Sequence, residues 1–151
     1  MRSPKLDVPR LLHKYGLKPN KDLGQNFLID PAALERIIAA ANLSESDEVL
    51  EIGAGVGSLT RYLCRMVSRV IAIEIDHNLI PLLKETLTDH ANATVIQGDI
   101  LSFQLCDLVQ GDNYKVVANI PYYITSKLIR YILESYVNVI TFRITTTNGN
   151  I

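Results

Sequence analysis

The chain has 151 residues, of which 48% are apolar and 21% charged, and its formal net charge is −1. These values are typical of a globular domain that is large enough to bury a core. No apolar run reaches the roughly 18–20 residues that cross a bilayer, and no apolar stretch follows Arg2 and Lys5 as it would in a signal peptide. We therefore expect a cytoplasmic protein without membrane contacts.

The two cysteines, Cys64 and Cys106, are isolated in the sequence, which favours a reducing compartment over a disulfide scaffold. The three histidines are scattered and show no metal-ligand spacing. We expect no metal site, and we expect the chain to be a monomer.

The first 30 residues are predicted to form a basic N-terminal arm, interrupted by Pro4, Pro9 and Pro19. Residues 1–26 hold six basic and two acidic side chains, a net charge of +4, so the remainder carries −5. Such an arm can meet phosphate groups, but lysines that simply face water would give the same composition.

A predicted domain over residues 31–151 follows the arm. Asp30 and Pro31 are typical of the start of a helix, and apolar side chains at helical spacing extend that helix over 31–41. Short apolar runs predict four strands and the stretches after them predict helices, with a possible fifth strand at the end. The strands are expected at 49–52, 70–73, 94–97, 115–118 and 137–144, and the helices at 59–67, 79–87, 103–109 and 126–135.

This alternation predicts an α/β fold with a parallel, doubly wound sheet. Right-handed crossovers bring the carboxyl ends of all strands to one edge, where such sheets bind their ligands. Gly53, Glu74, Asp99 and Asn119 each follow a predicted strand, so we expect them to converge on a single crevice.

The loop after the first strand carries Gly53, Gly55 and Gly57, which allow tight turning and close approach to a ligand. A dinucleotide fingerprint would require glycine where Ser58 stands, so the spacing favours a loop around the amino-acid end of S-adenosylmethionine. Glu74 is placed to accept hydrogen bonds from ribose hydroxyls, although a solvated helix cap shared with Asp76 is the alternative. These two loops indicate an adenosine cofactor.

The loop after the third strand offers Asp99 to an adenine amine and the backbone amide of Ile100 to a ring nitrogen. A Gly-Asp pair after a strand is also a common turn, so this loop supports the interpretation without deciding it.

The loop after the fourth strand distinguishes a methyltransferase from a dehydrogenase. The Asn119 side chain and the Ile120 carbonyl, fixed by Pro121, are two acceptors that can hold an adenine amine, and Tyr122 can stack on the base. A structural turn with Tyr122 in the core is the alternative. We therefore predict methyl transfer from S-adenosylmethionine to an adenine amine at Asn119, Pro121 and Tyr122.

These motifs resemble those of the ribosomal small-subunit RNA adenine dimethyltransferase family. The resemblance covers about residues 8–135 and rests on the sequences at 23–28, 51–60, 74–76, 98–101 and 119–122. It implies a Rossmann-like methyltransferase fold and dimethylation of two adjacent adenines in the small-subunit precursor. It also implies that Asn26 and Leu28 close over the cofactor, above Gly53.

Two other functions remain open. A sister family that methylates a large-subunit adenine and confers macrolide resistance shares nearly all of these motifs. A non-catalytic fragment that binds ribosomal RNA or an assembly intermediate is the other possibility. The family's sheet has seven strands followed by a small helical domain, and the polar sequence at 145–151 does not match it. We therefore expect the fold to stop before its last strands and its helical domain.

Overall fold

The computed structural model describes residues 5–19, 30–111, 114–119, 125–135 and 139–145, with backbone only for Asn119, Thr125 and 139–145. Within these ranges the chain forms one five-stranded sheet in the order β3-β2-β1-β4-β5. Every neighbouring pair of strands is parallel. The predicted parallel α/β architecture is confirmed, and the predicted fifth strand pairs with β4.

The elements lie within two residues of their predicted bounds. The strands are β1 (Glu48–Ile52), β2 (Arg69–Glu74), β3 (Ala93–Gln97), β4 (Tyr114–Asn119) and β5 (Val139–Thr145). The helices are α1 (Val8–Lys14), α2 (Pro31–Ala41), α3 (Ser58–Met66), α4 (Ile80–Thr86), α5 (Leu105–Leu108) and α6 (Thr125–Glu134). Short 3₁₀ turns at His77–Leu79 and Ile100–Ser102 follow β2 and β3.

The helix after the arm begins and ends where its sequence predicts. The carboxylate of Asp30 accepts a hydrogen bond from the Ala32 amide at 3.0 Å, and Pro31 occupies the first turn. Asn42 ends the helix in the left-handed conformation, with φ 48°.

Alternate residues of the strands separate the core into two faces, because successive side chains of a strand point in opposite directions. On one face, Leu50, Ile71 and Val116 pack with Leu128 and Ile132 of α6. On the other face, Val49, Val70 and Val117 pack with apolar side chains of α2 and α3 (Leu34, Ile37, Leu59 and Leu63). Helices therefore cover both faces, as a doubly wound sheet requires.

The arm, for which an extended or loosely helical conformation is expected from its prolines, contributes the short helix α1. Asp7 caps it by accepting a hydrogen bond from the Arg10 amide at 3.1 Å, and Pro9 lies in its first turn. Val8 is buried with Val56, Leu79 and Leu82. The predicted boundary between an arm at 1–30 and a domain at 31–151 stays a prediction.

Of the helices in the described ranges, none has the length and apolar character needed to span a membrane. The longest, α2, has 11 residues.

Lys115 of β4 forms an ion pair and a hydrogen bond with the segment that follows α2, at the amino edge of the sheet. The Lys115 ammonium is buried, lies 2.8 Å from Oδ2 of Asp47 and donates a hydrogen bond to the Asn42 carbonyl. Burial alone would raise the pKa of Asp47, but hydrogen bonds from Lys115 and Ser44 outweigh it and hold that pKa below its ordinary value. The pair therefore stabilises the fold wherever Asp47 is ionised.

Replacing Lys115 by methionine (Lys115→Met) should lower the free energy of unfolding by about 2–3 kcal/mol at pH 7, because Asp47 loses its partner while remaining largely buried. The loss should shrink as the pH falls through the lowered pKa of Asp47, since a protonated carboxyl no longer needs the cation. Urea unfolding measures both effects. Lys84→Met, at an exposed position of α4, is the matched control and should change stability by less than about 0.5 kcal/mol.

Candidate functional site

The strand register brings three of the predicted site residues into line. Ile52 of β1 pairs with Ile73 of β2 and with Ala118 of β4. The next residues along these strands are Gly53, Glu74 and Asn119, so they lie side by side at the carboxyl edge. Glu74 and Asn119 are the last residues of β2 and β4 rather than the first residues of the following loops.

The glycine loop after β1 turns sharply back over the sheet. The amides of Gly53 and Ala54 both donate to the Ile73 carbonyl, at 2.9 and 3.1 Å. Gly53, Gly55 and Gly57 all have positive φ, at 80°, 60° and 86°. A Cβ on Gly57 would lie 3.0 Å from side-chain atoms of α4, so this position needs glycine for space as well as for conformation. Gly53 and Gly55 are partly exposed, so the backbone of the loop reaches the surface at the carboxyl edge of the sheet.

Glu74 connects this loop to the next one. Its Oε2 accepts a hydrogen bond from the Gly55 amide at 2.7 Å, and its Oε1 accepts one from the Asp76 amide at 2.9 Å. The side chain is only 5% exposed, and burial raises the pKa of Glu74 even though the two amides oppose the rise. A carboxylate has about four acceptor positions, so this held group can still accept bonds from a diol.

The alternative of Glu74 as a solvated helix cap is wrong, because Glu74 is buried. Asp76, which is also buried, provides the cap: its carboxylate accepts a hydrogen bond from the Asn78 amide at 3.0 Å at the start of the 3₁₀ turn at His77–Leu79. The two acidic residues, two positions apart, therefore have different functions in the local structure.

The loop after β3 is joined to β2 through its backbone. The Gly98 amide donates to the Glu74 carbonyl at 2.9 Å. Asp99 is exposed, and its Oδ1 accepts a hydrogen bond from the Leu101 amide at 3.0 Å. Ile100 is buried in the core, 7% exposed, so its side chain anchors the loop. Contacts of Asp99 and the Ile100 amide with an adenine stay a prediction.

The Phe103 ring packs beside Gly98 and supports the loop after β3. A Cβ on Gly98 would come within 2.7 Å of the Phe103 ring, so the ring occupies the space where a side chain at position 98 would stand. The Phe103 carbonyl accepts a hydrogen bond from the Tyr131 hydroxyl of α6. The loop after β3 is therefore braced against the helix that follows β4.

Two exposed apolar side chains lie beside the carboxyl edge of the sheet. Ile75, directly after Glu74, is 48% exposed, and Leu101, two residues after Asp99, is 40% exposed. Apolar side chains beside a carboxylate and backbone amides suit a ligand that combines a flat ring with a sugar.

Several predicted site residues cannot be placed. Asn26, Leu28, Pro121 and Tyr122 lie outside the described residues. Asn119 is described by its backbone, which ends β4 next to the glycine loop. Their roles stay predictions. Among the residues that the structure does describe, no group of three or more His, Cys, Asp or Glu side chains is placed to hold a metal ion.

The sequence interpretation assigned no role to Glu51, which lies beneath the glycine loop. Glu51 is 1% exposed, and within the described part of the chain its Oε2 has no hydrogen-bond partner. Burial, with a further contribution from the charge of Glu74, raises the pKa of Glu51 to about 8. A charged residue inside an otherwise apolar strand was the available signal. At neutral pH this group is mostly a neutral acid.

The strand order, the glycine loop after β1 and the acidic end of β2 define a Rossmann-like methyltransferase fold. Comparison with known proteins identifies the family: residues 16–145 match the model of the ribosomal RNA adenine dimethylases, and the chain belongs to that family. The prediction from the sequence motifs is confirmed at this level.

Curated relatives of the chain include bacterial proteins named ribosomal RNA small subunit methyltransferase A. The chain is 45% identical over 141 residues to the one from Alkaliphilus oremlandii, covering 91% of this chain and 49% of the relative. It is 47% identical over 128 residues to the one from Lactiplantibacillus plantarum, covering 82% and 43%. The chain thus spans about half the length of the curated relatives it matches.

Two solved structures are similar to the chain in sequence and in fold. The 23S rRNA methyltransferase ErmE is 36% identical, with a TM-score of 0.67 over 74% of this chain and 44% of that one. A dimethyladenosine transferase from Plasmodium falciparum is also 36% identical, with a TM-score of 0.62 over 72% and 38%.

Replacing Glu51 by glutamine (Glu51→Gln) should remove a pH-dependent penalty on folding. Because the folded chain holds the Glu51 proton with a pKa of about 8 against an ordinary value of 4.5, the wild type should lose stability as the pH rises through that window. Between pH 5 and pH 9, the free energy of unfolding of the variant should therefore increase relative to that of the wild type. The increase should be on the order of 2–4 kcal/mol.

Urea unfolding at several pH values tests this expectation. Glu45→Gln, at an exposed position, is the control and should follow the wild type at every pH. A pH dependence of Glu51→Gln that parallels the wild type would show that Glu51 is ionised in the folded protein.

Proposed function

We propose that this chain binds S-adenosylmethionine and transfers its methyl group to the exocyclic amines of adenines in small-subunit ribosomal RNA. The observation that carries the proposal is the alignment of Gly53, Glu74 and the backbone of Asn119 at one sheet edge, in a chain that belongs to the ribosomal RNA adenine dimethylases. The name shared by the relatives favours the small subunit.

Cofactor binding is assigned to residues whose geometry suits each part of the molecule. The sharply turned backbone at Gly53 and Gly55 is assigned to the amino-acid end, and the Glu74 carboxylate, oriented by the Gly55 amide, is assigned to the ribose. Asp99 and the Ile100 amide are assigned to the adenine. The resemblance adds Asn26 and Leu28 as a cover. When bound, S-adenosylmethionine supplies a methyl group made electrophilic by its sulfonium.

Methyl transfer is assigned to Asn119 and the residues directly after it. The Asn119 amide oxygen and the Ile120 carbonyl would accept the two hydrogens of the adenine amine and so orient its nitrogen lone pair. Pro121 would fix the direction of that carbonyl, and Tyr122 would stack on the flipped base. The protein contributes position and electrostatics.

A second candidate, methylation of large-subunit RNA, is favoured by the similarity to ErmE. A third candidate is binding to ribosomal RNA without catalysis, which the incorporation assay below separates from the other two. We place the small-subunit reaction first because the curated relatives share that name. Action on ribosomal precursors also implies a cytoplasmic protein, and we propose that it acts as a monomer.

Replacing Glu74 by glutamine (Glu74→Gln) should weaken binding of S-adenosylhomocysteine by roughly 100-fold, because the ribose loses a charged acceptor. Isothermal titration calorimetry measures the affinity. Glu48→Gln at the opposite end of the neighbouring strand is the control, since it also breaks the contacts of a partly buried glutamate, with Arg69 and the Gln110 amide. Equal losses in both variants would contradict a direct role for Glu74.

Asn119→Ala should abolish methyl transfer while leaving affinity for S-adenosylhomocysteine within about threefold of the wild type, because the side chain holds the amine of the base rather than the cofactor. The assay uses radiolabelled S-adenosylmethionine with undermethylated small subunits, and large-subunit RNA as the parallel substrate. Incorporation into small-subunit adenine by the wild type supports the proposal. Incorporation into large-subunit RNA alone favours the sister reaction, and cofactor binding without any incorporation favours the non-catalytic one.

A further inference from the structure

We infer that α1 positions the glycine loop for the cofactor, and that Val8 is the residue through which it acts. This inference rests on the proposed function, because it concerns the cofactor site described above. It assigns a role to residues 8–14, which lie outside the sheet.

The glycine loop has few side chains with which to hold its shape. Three of its five residues, Gly53–Gly57, are glycines with positive φ, so ordering this segment is entropically expensive. The two remaining residues are apolar anchors. Ala54 packs with Ala72, Leu83 and Leu87 in the core. Val56 is 2% exposed and packs in a separate cluster.

The cluster around Val56 depends on α1. Its buried members are Val8, Val56, Leu79 and Leu82, and its partly buried members all come from residues 6–17. It contains no strand residue. One of the two loop anchors, Val56, therefore packs against the N-terminal helix together with Leu79 and Leu82. The other, Ala54, packs against the sheet and the region of α4 without any contribution from the N-terminal helix.

The anchors matter because Gly55 stands between them. The Gly55 amide donates at 2.7 Å to Oε2 of Glu74, the carboxylate assigned to the ribose. If Val56 loses its packing, the Gly55 amide moves and Glu74 loses one of the two bonds that orient it. A change at Val8 should therefore reach the ribose site through Val56, Gly55 and Glu74 in turn.

The helix α1 needs external support to do this, because seven residues are too few for a stable isolated helix. It is held at its far end by Glu85 of α4. The Lys14 ammonium lies 2.7 Å from Oε1 of Glu85, and the Tyr15 hydroxyl donates to Oε2 of the same carboxylate. These contacts are exposed and individually weak, so they orient the helix while the buried Val8 cluster holds it.

The test compares two buried valines in the 151-residue chain. Val8→Ala removes the anchor, and Val67→Ala is the matched control, since Val67 is similarly buried (6% against 4%) but packs on the far side, with α2 and α3. Hydrogen exchange of the Gly55 and Gly57 amides and calorimetric affinity for S-adenosylhomocysteine are measured in both. Val8→Ala should speed the exchange about tenfold and weaken the affinity roughly tenfold, with Val67→Ala unchanged in both.

Two further variants separate positioning from general destabilisation. Val8→Ile, which keeps an apolar anchor, should retain both wild-type values. Glu85→Ala releases the far end of α1 without removing buried volume and should speed the loop exchange, whereas Glu45→Ala, at another exposed glutamate, should not.

Equal effects of Val8→Ala and Val67→Ala, or no effect of either, would overturn the inference. If the wild type binds no S-adenosylhomocysteine, the proposed cofactor site fails, and the exchange of the loop amides alone then decides whether α1 orders the loop. The two failures are thereby distinguished.

Discussion

Glu74 joins three segments of the candidate site through hydrogen bonds made by a single residue. Its carboxylate accepts hydrogen bonds from the amides of Gly55 and Asp76, and its backbone carbonyl accepts a hydrogen bond from the amide of Gly98. Burying a carboxylate is costly unless hydrogen bonds replace its water, and here the backbone provides them. The loops after β1, β2 and β3 consequently have fixed positions relative to one another. Any ligand that contacts all three meets a surface that is already organised.

Much of this arrangement could be predicted from local patterns. Apolar runs ending in polar residues predict all five strands, and parallel crossovers place Gly53, Glu74 and Asn119 at one edge of the sheet. The raised pKa of Glu51 and the contact of Val8 with the glycine loop could not be predicted. Both depend on packing between residues distant in sequence, for which a single sequence offers no periodic signal.

The two solved relatives at 36% identity clarify what this part of the fold contributes. One is named a 23S rRNA methyltransferase and the other a dimethyladenosine transferase, and each aligns with more than 70% of the chain. Proteins with different names therefore share the fold of this part of the chain. We accordingly propose that the sheet edge binds the cofactor and that residues elsewhere select the RNA, because a fold alone does not determine a substrate.

The contact of Phe103 with Gly98 has a mechanical consequence. The ring fills the space beside Gly98 and the Phe103 carbonyl accepts a hydrogen bond from Tyr131, so the loop after β3 is connected to helix α6 by packing and by a hydrogen bond. A substitution that shortens the Tyr131 side chain would therefore remove a support of the loop that carries Asp99, although residue 131 is distant from that loop in sequence.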